Sequence, residues 1–162
     1  MNVRGEKRSN EMHESKTDPN ALLAHRSDGK ESKLSYSGNL LVENRNGLII
    51  DAQALKAMGT AEQDATLCML EKLAGTRGLT AGGDKGLNTF GFVAECRHLP
   101  VAPHVAHNHQ RRGRSAIYGR TTRHPGYAVS QRKRKRIEEC FAWLTTIALL
   151  RKSRHRGVCK ID

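Results

Sequence analysis

Asp84 is the first residue that could carry chemistry. It closes the short stretch Leu79 to Gly83 and is followed by Lys85 and Gly86. That places a carboxylate at a strand end, where layered α/β folds gather their reactive groups. An Asp that merely caps the following turn has the same local signature. A second carboxylate comes from the basic stretch near the carboxyl end. On a helix turning about 100° per residue, Arg134, Glu138 and Thr145 project within about 40° of one another, and Glu139 turns away toward solvent. Two or three carboxylates converging on Mg²⁺ or Mn²⁺ would bind it through oxygen and neutralise charge on a scissile phosphate, the chemistry of phosphodiester cleavage and transfer. The plainer alternative is an ion pair between Glu138 and Arg134 one turn away. Asp84 and Glu138 are accordingly the candidate catalytic and metal-binding residues.

Charge points to the same class of substrate. The chain has 28 Lys and Arg against 16 Asp and Glu, a formal net charge of +12 and a pI of about 10.0. A polyanionic partner, DNA first, follows from that balance. The excess is focused, because Cys96 to Ile137 contains no acid at all. The candidate DNA-binding residues are Lys85, Arg111, Arg112, Arg114, Arg120, Arg123, Arg132, Lys133 and Arg134. His104, His107 and His109 crowd into this segment with no Cys or acid beside them, so phosphate contact or exposure is favoured over metal ligation. The glycines from Gly78 to Gly86 do not form a phosphate loop of the GxxxxGK[ST] kind. Cys68, Cys96, Cys140 and Cys159 are too far apart for a CxxC pair and read as small buried hydrophobes. With no apolar leader in Met1 to Asn20 and no long apolar run, the expected location is the cytoplasm, associated with the nucleoid, without a membrane partner.

These residues need a scaffold. Residues 1–32 are polar, lack an apolar period and read as an irregular amino-terminal arm. Leu34 to Val42 and Leu48 to Ala52 flank Asn46-Gly47, and the Asn-Gly step predicts a tight β-hairpin. Thr60 to Ala74 reads as a helix opened by a Thr60/Gln63 capping box. Leu79 to Gly83 is a strand, Thr89 to Arg97 a helix, Val101 to Val105 a strand, and His107 to Ser130 a long loop. A single amphipathic helix spans about Ser130 to Leu150, its stripe made of Ile137, Cys140, Phe141, Leu144, Ile147 and Ala148. Strands alternating with helices predict an α/β layered fold.

From Gly5 to the carboxyl end the sequence resembles the DDE transposases of bacterial insertion sequences. The blocks that carry the resemblance are Glu6 to Glu11, Thr17-Asp18-Pro19, Tyr36-Ser37-Gly38, Glu43 to Leu48, Gly59 to Glu62 and Asp84-Lys85-Gly86 with Thr89. Further blocks are Phe92-Val93-Ala94, Pro103 to Ala106, Gly119 to Gln131, and Arg134 to Glu139 with Phe141 and Trp143. The resemblance implies a ribonuclease-H-like mixed sheet with flanking helices, in which two Asp and one Glu bind two divalent metals and drive DNA transposition. Asp84 matches the second catalytic Asp. Glu138 matches the Glu of a motif of Arg, three residues, Glu, six residues and Lys, with Arg134 as its Arg and Thr145 where the Lys would stand.

In the family the first catalytic Asp lies on the opening central strand, upstream of the segment that Gly5 to Asn10 resembles, and the family continues past the position of Asp162. The expectation is a fragment truncated at both ends, with a partial catalytic domain over residues 33–162, an incomplete sheet lacking its opening strand, and an incomplete Mg²⁺ site. Nothing in the spacing of Asp18 or Asp51 argues for either as a replacement ligand. Such a chain should bind DNA, alone or as a homodimer, without turning over. The alternative is a small basic non-catalytic nucleic-acid-binding protein.

Overall fold

The computed structural model describes residues 2, 3, 6, 7, 9, 10, 14–25, 31–73, 75, 77–108 and 115–162. It has α/β organisation. The stretch expected to be an irregular arm contributes strands β1 (Asn2–Val3), β2 (Glu6–Lys7) and β3 (Leu22–Ala24). The third is woven into the body, since Leu22 to Ala24 pair antiparallel with Ser35 to Lys33 of β4 (Lys33–Val42).

The hairpin of β4 with β5 (Ile49–Lys56) forms where Asn46-Gly47 predicted it, and β5 runs four residues beyond Ala52. Gly47 adopts φ +78°, which glycine reaches without strain, and donates to Glu43 O at 2.9 Å. The Glu43 carboxylate accepts from the Arg45 and Asn46 amides and caps the turn. Those amides, Asn46 first, hold its pKa below the usual carboxylate range.

Helix α1 (Ala61–Glu71) lies on the hairpin and buries Ala61, Ala65, Met69 and Leu70, one stripe at helical spacing. The expected capping box does not form, because Thr60 makes no side-chain cap bond. Gln63 instead reaches the Gly86 carbonyl at 3.3 Å and accepts from the Thr89 hydroxyl at 3.0 Å. Strand β6 (Thr80–Gly83), helix α2 (Phe90–His98) and strand β7 (Ala102–Val105) make a βαβ unit whose strands pair in parallel, Gly83 opposite Val105. Thr89 caps α2 by accepting from the Phe92 amide. Among the described residues β6–β7 and β3–β4–β5 are separate sheets, not one mixed sheet.

The core gathers around the βαβ unit: Leu70, Leu87, Phe92, Val93, Cys96, Val101, Val105, Ala116 and Ile117, with Leu41 packed against it from the hairpin. Gly83 is part of this packing. A Cβ there would stand 2.6 Å from Leu87 Cδ1 and 3.3 Å from Val105 Cγ1. Gly83→Val is therefore expected to lower Tm by about 4–8 °C, about 2 kcal/mol of overpacking; an unchanged melt followed by circular dichroism would refute the tight packing.

The segment expected to be a loop contains two helices, α3 (Gly119–Arg123) and α4 (Pro125–Lys133). Pro125 occupies the first turn of α4 after His124, whose ring Nδ1 accepts from the Gly126 amide. The single helix expected over 130–150 is interrupted at Arg134 and Lys135, between α4 and α5 (Arg136–Thr146). A short α6 (Val158–Ile161) closes the chain. No residue of α5 is buried, and Phe141, Trp143 and Ile147 are exposed, so the predicted apolar stripe is not core. The cysteines divide likewise. Only Cys96 is buried, its thiol pushed up to about 11 by burial, while Cys68 and Cys159 are exposed and Cys140 half-buried.

Candidate functional site

Asp84 follows β6 directly, at its carboxyl end. It is exposed, and its Oδ1 accepts from the Gly86 amide at 2.7 Å, the turn-capping role that the sequence left open. A second carboxylate, Glu62 from the first turn of α1, interacts with its charge. Both carboxylates crowd Gly86, where a Cβ would meet Asp84 Oδ1 at 3.0 Å and Glu62 Oε2 at 3.6 Å. Partial burial, then the charge of Asp84, push the Glu62 pKa above the usual carboxylate range. Sequence reasoning passed over Glu62, and only its place in the Gly59 to Glu62 block singled it out.

A raised carboxyl pKa contributes stability below its ordinary value that is lost as pH rises through the raised one. At neutral pH the ionised Glu62 thus costs stability, and Glu62→Gln should raise Tm. Solvent screens this partly exposed pair, so the expected gain is about 1 °C at pH 7 and nil near pH 4. Equal gains at both pH values would contradict the repulsion.

Glu138 is exposed on α5, and no hydrogen bond or ion pair among the described residues involves its carboxylate. The interruption at Arg134 and Lys135 removes the continuous helix on which Arg134, Glu138 and Thr145 were expected to share a face. Among the described residues no three His, Cys, Asp or Glu side chains cluster to hold a metal. Asp18 and Asp51 are committed elsewhere: Asp18 accepts from the Tyr36 hydroxyl at 2.6 and 2.7 Å, and Asp51 pairs with Lys72 at 2.7 Å.

The cations surround α4. Its Ser130 and Arg134 end rests on β6, where Gly82 leaves room for the approach: a Cβ on Gly82 would lie 3.7 Å from both Arg134 Cβ and Ser130 O. Arg134 donates to Gln131 Oε1 at 3.0 Å, and the Gln131 amide bonds the His104 carbonyl. Lys85, Arg120, Arg123 and Arg132 are exposed and Lys133 is half-buried; Arg111, Arg112, Arg114 and His109 lie outside the described residues.

His104, expected at the surface, is 5 % exposed, with Nδ1 2.8 Å from Ser130 Oγ and the Tyr127 ring edge-on at 5.7 Å. Burial, then His124, lower its pKa, so it fastens α4 to β7 as a neutral ring. Its signal in the sequence is its place between Pro103 and Val105, both buried in β7. No helix among the described residues is long and apolar enough to cross a membrane. No protein-family model, curated protein or solved structure matches the sequence.

Proposed function

We propose that this chain belongs to the DDE-type insertion-sequence transposases, with a ribonuclease-H-like ancestry, and that it binds DNA through phosphate contacts and does not cut it. The observation that carries the reading is the seating of the cationic helix α4 on the strand that ends at Asp84, through Gly82, Ser130 and Arg134. A phosphodiester held by those cations would lie beside a strand-end carboxylate, the juxtaposition that metal-dependent phosphoryl transfer requires.

The resemblance supplies Asp84 and Glu138 as oxygen ligands for Mg²⁺ or Mn²⁺, which would neutralise charge on the scissile phosphate. Asp84 stands beside Glu62, and Glu138 lies on α5, beyond the break at Arg134 and Lys135. A catalytic metal pair needs carboxylates that share ions, so no hydrolytic step is assigned to this arrangement.

The test is a plasmid-nicking assay with Mg²⁺ or Mn²⁺ run beside DNA-binding titrations with and without the metal. The proposal expects binding that is insensitive to the ion and no nicking. Metal-dependent nicking abolished by Asp84→Asn would overturn the claim of inactivity, and absence of any binding at low salt would remove the function altogether.

A further inference from the structure

Where α4 gives way to α5, the tip of the β4–β5 hairpin approaches the cationic helices and encloses an open cleft. Two adjoining hollows of about 370 and 570 Å³ share Arg136 and Glu139. Arg132, Lys133 and Lys135 line the first, and Arg45 lines the second. Five cations thus face one carboxylate in the cleft. Glu43 adds a second carboxylate whose charge interacts with Arg45 and Lys133, so five cations stand against two acids and the cleft stays positive. The cleft is held in shape by Arg136, whose Nη1 donates to the Asn44 and Arg45 carbonyls at 3.1 and 2.7 Å and leaves its other N–H groups for a ligand.

Trp143 continues this surface. It follows Arg136 by seven residues, which on a helix returns to within about 20° of the same face, about 10 Å farther along. Trp143 is 68 % exposed, an unusual setting for the largest apolar side chain. Cations that can track phosphates, followed on one face by a bare indole, are the pairing that proteins use for unpaired bases, which stack on an aromatic ring while the backbone lies in a positive groove. A duplex keeps its bases stacked inside and offers such an indole little.

Resting on the nucleic-acid reading above, we infer that this cleft is a single-strand site: the backbone of an unpaired DNA or RNA segment lies along Arg45, Lys133 and Arg136, and a base stacks on Trp143. Because Trp143 is the only tryptophan in the chain, its emission reports the contact directly.

The experiment titrates the full chain with oligo(dT) and with a duplex of equal length at low salt, reading Trp143 emission together with the anisotropy of a dye on the nucleic acid. Oligo(dT) is expected to quench the emission in step with the anisotropy, and the duplex to bind without quenching. Trp143→Ala and Arg45→Glu should each weaken oligo(dT) binding by about tenfold, and Trp143→Phe should recover most of the loss. Arg77→Glu, the same charge change at an exposed position outside the cleft, should weaken it by no more than about threefold.

Binding without quenching, or equal losses for Arg45→Glu and Arg77→Glu, would sink the cleft while leaving a DNA-binding protein. Failure of both nucleic acids to bind at low salt would sink both readings. An emission shift with phosphatidylserine vesicles and none with oligo(dT) would replace the nucleic acid by an anionic lipid surface.

Discussion

Asn88→Ala is expected to lower Tm by about 10 °C. Asn88 is fully buried and uses both ends of its amide. Nδ2 donates to the Ala106 carbonyl and the Ser115 hydroxyl, and Oδ1 accepts from the Ala116 amide, each at 2.8 Å. Truncation strands a carbonyl and an N–H among Ile117, Leu87 and Val105, and each orphaned group costs about 1–3 kcal/mol. With a further term for the void, the sum is about 3–4 kcal/mol, which at this chain length corresponds to the stated shift. Asn88→Asp should fare no better, since it keeps one acceptor, loses both donors and buries a charge. A loss below about 3 °C for the Ala variant, followed by circular dichroism, would show that the amide is not the tie between the Asp84 turn and residues 115–117.

The largest effect on binding should come from salt. If duplex DNA engages about five of the cations around α3, α4 and the cleft, the logarithm of the binding constant falls with a slope of about −4.5 against the logarithm of salt concentration. Raising salt from about 50 to 200 mM then weakens binding by about 500-fold. Arg132→Ala should reduce the slope by about one unit, whatever the base sequence, because a phosphate contact carries no sequence information. Anisotropy titrations over that range measure both quantities, and a slope shallower than about −2 would mean that phosphate neutralisation is not what holds the nucleic acid.

Much of the scaffold was legible because its signals are local. Asn46-Gly47 dictated the hairpin through the positive φ of Gly47, and the apolar spacing of Ala61, Ala65 and Leu70 marked α1. The βαβ unit followed from short apolar runs separated by Gly and by the Thr89 cap.

What escaped was decided by tertiary partners. Nothing in the Arg132 to Arg136 run opposes helix, for Lys and Arg are good helix formers. The axis nevertheless breaks where α4 is seated on Gly82 and Arg136 is anchored to the hairpin carbonyls. That break puts Arg134 and Glu138 on either side of the α4–α5 junction rather than on one continuous helix. Glu62 was hidden for the opposite reason: its helix is ordinary, and only the fold returns its first turn to the end of β6. The α4 helix did announce itself in His124-Pro125, but the Arg, Gly and Thr around it read as loop.

The separation of β6–β7 from the hairpin sheet bears on how the native state opens. Six of the nine buried residues of the shared core belong to the βαβ unit, and the hairpin adds only the half-buried Leu41. Amides of β4 and β5 should therefore exchange with solvent deuterium through partial openings, while those of α2 and β7 wait for global unfolding. Proteolytic trimming would then begin in the hairpin and spare the βαβ unit.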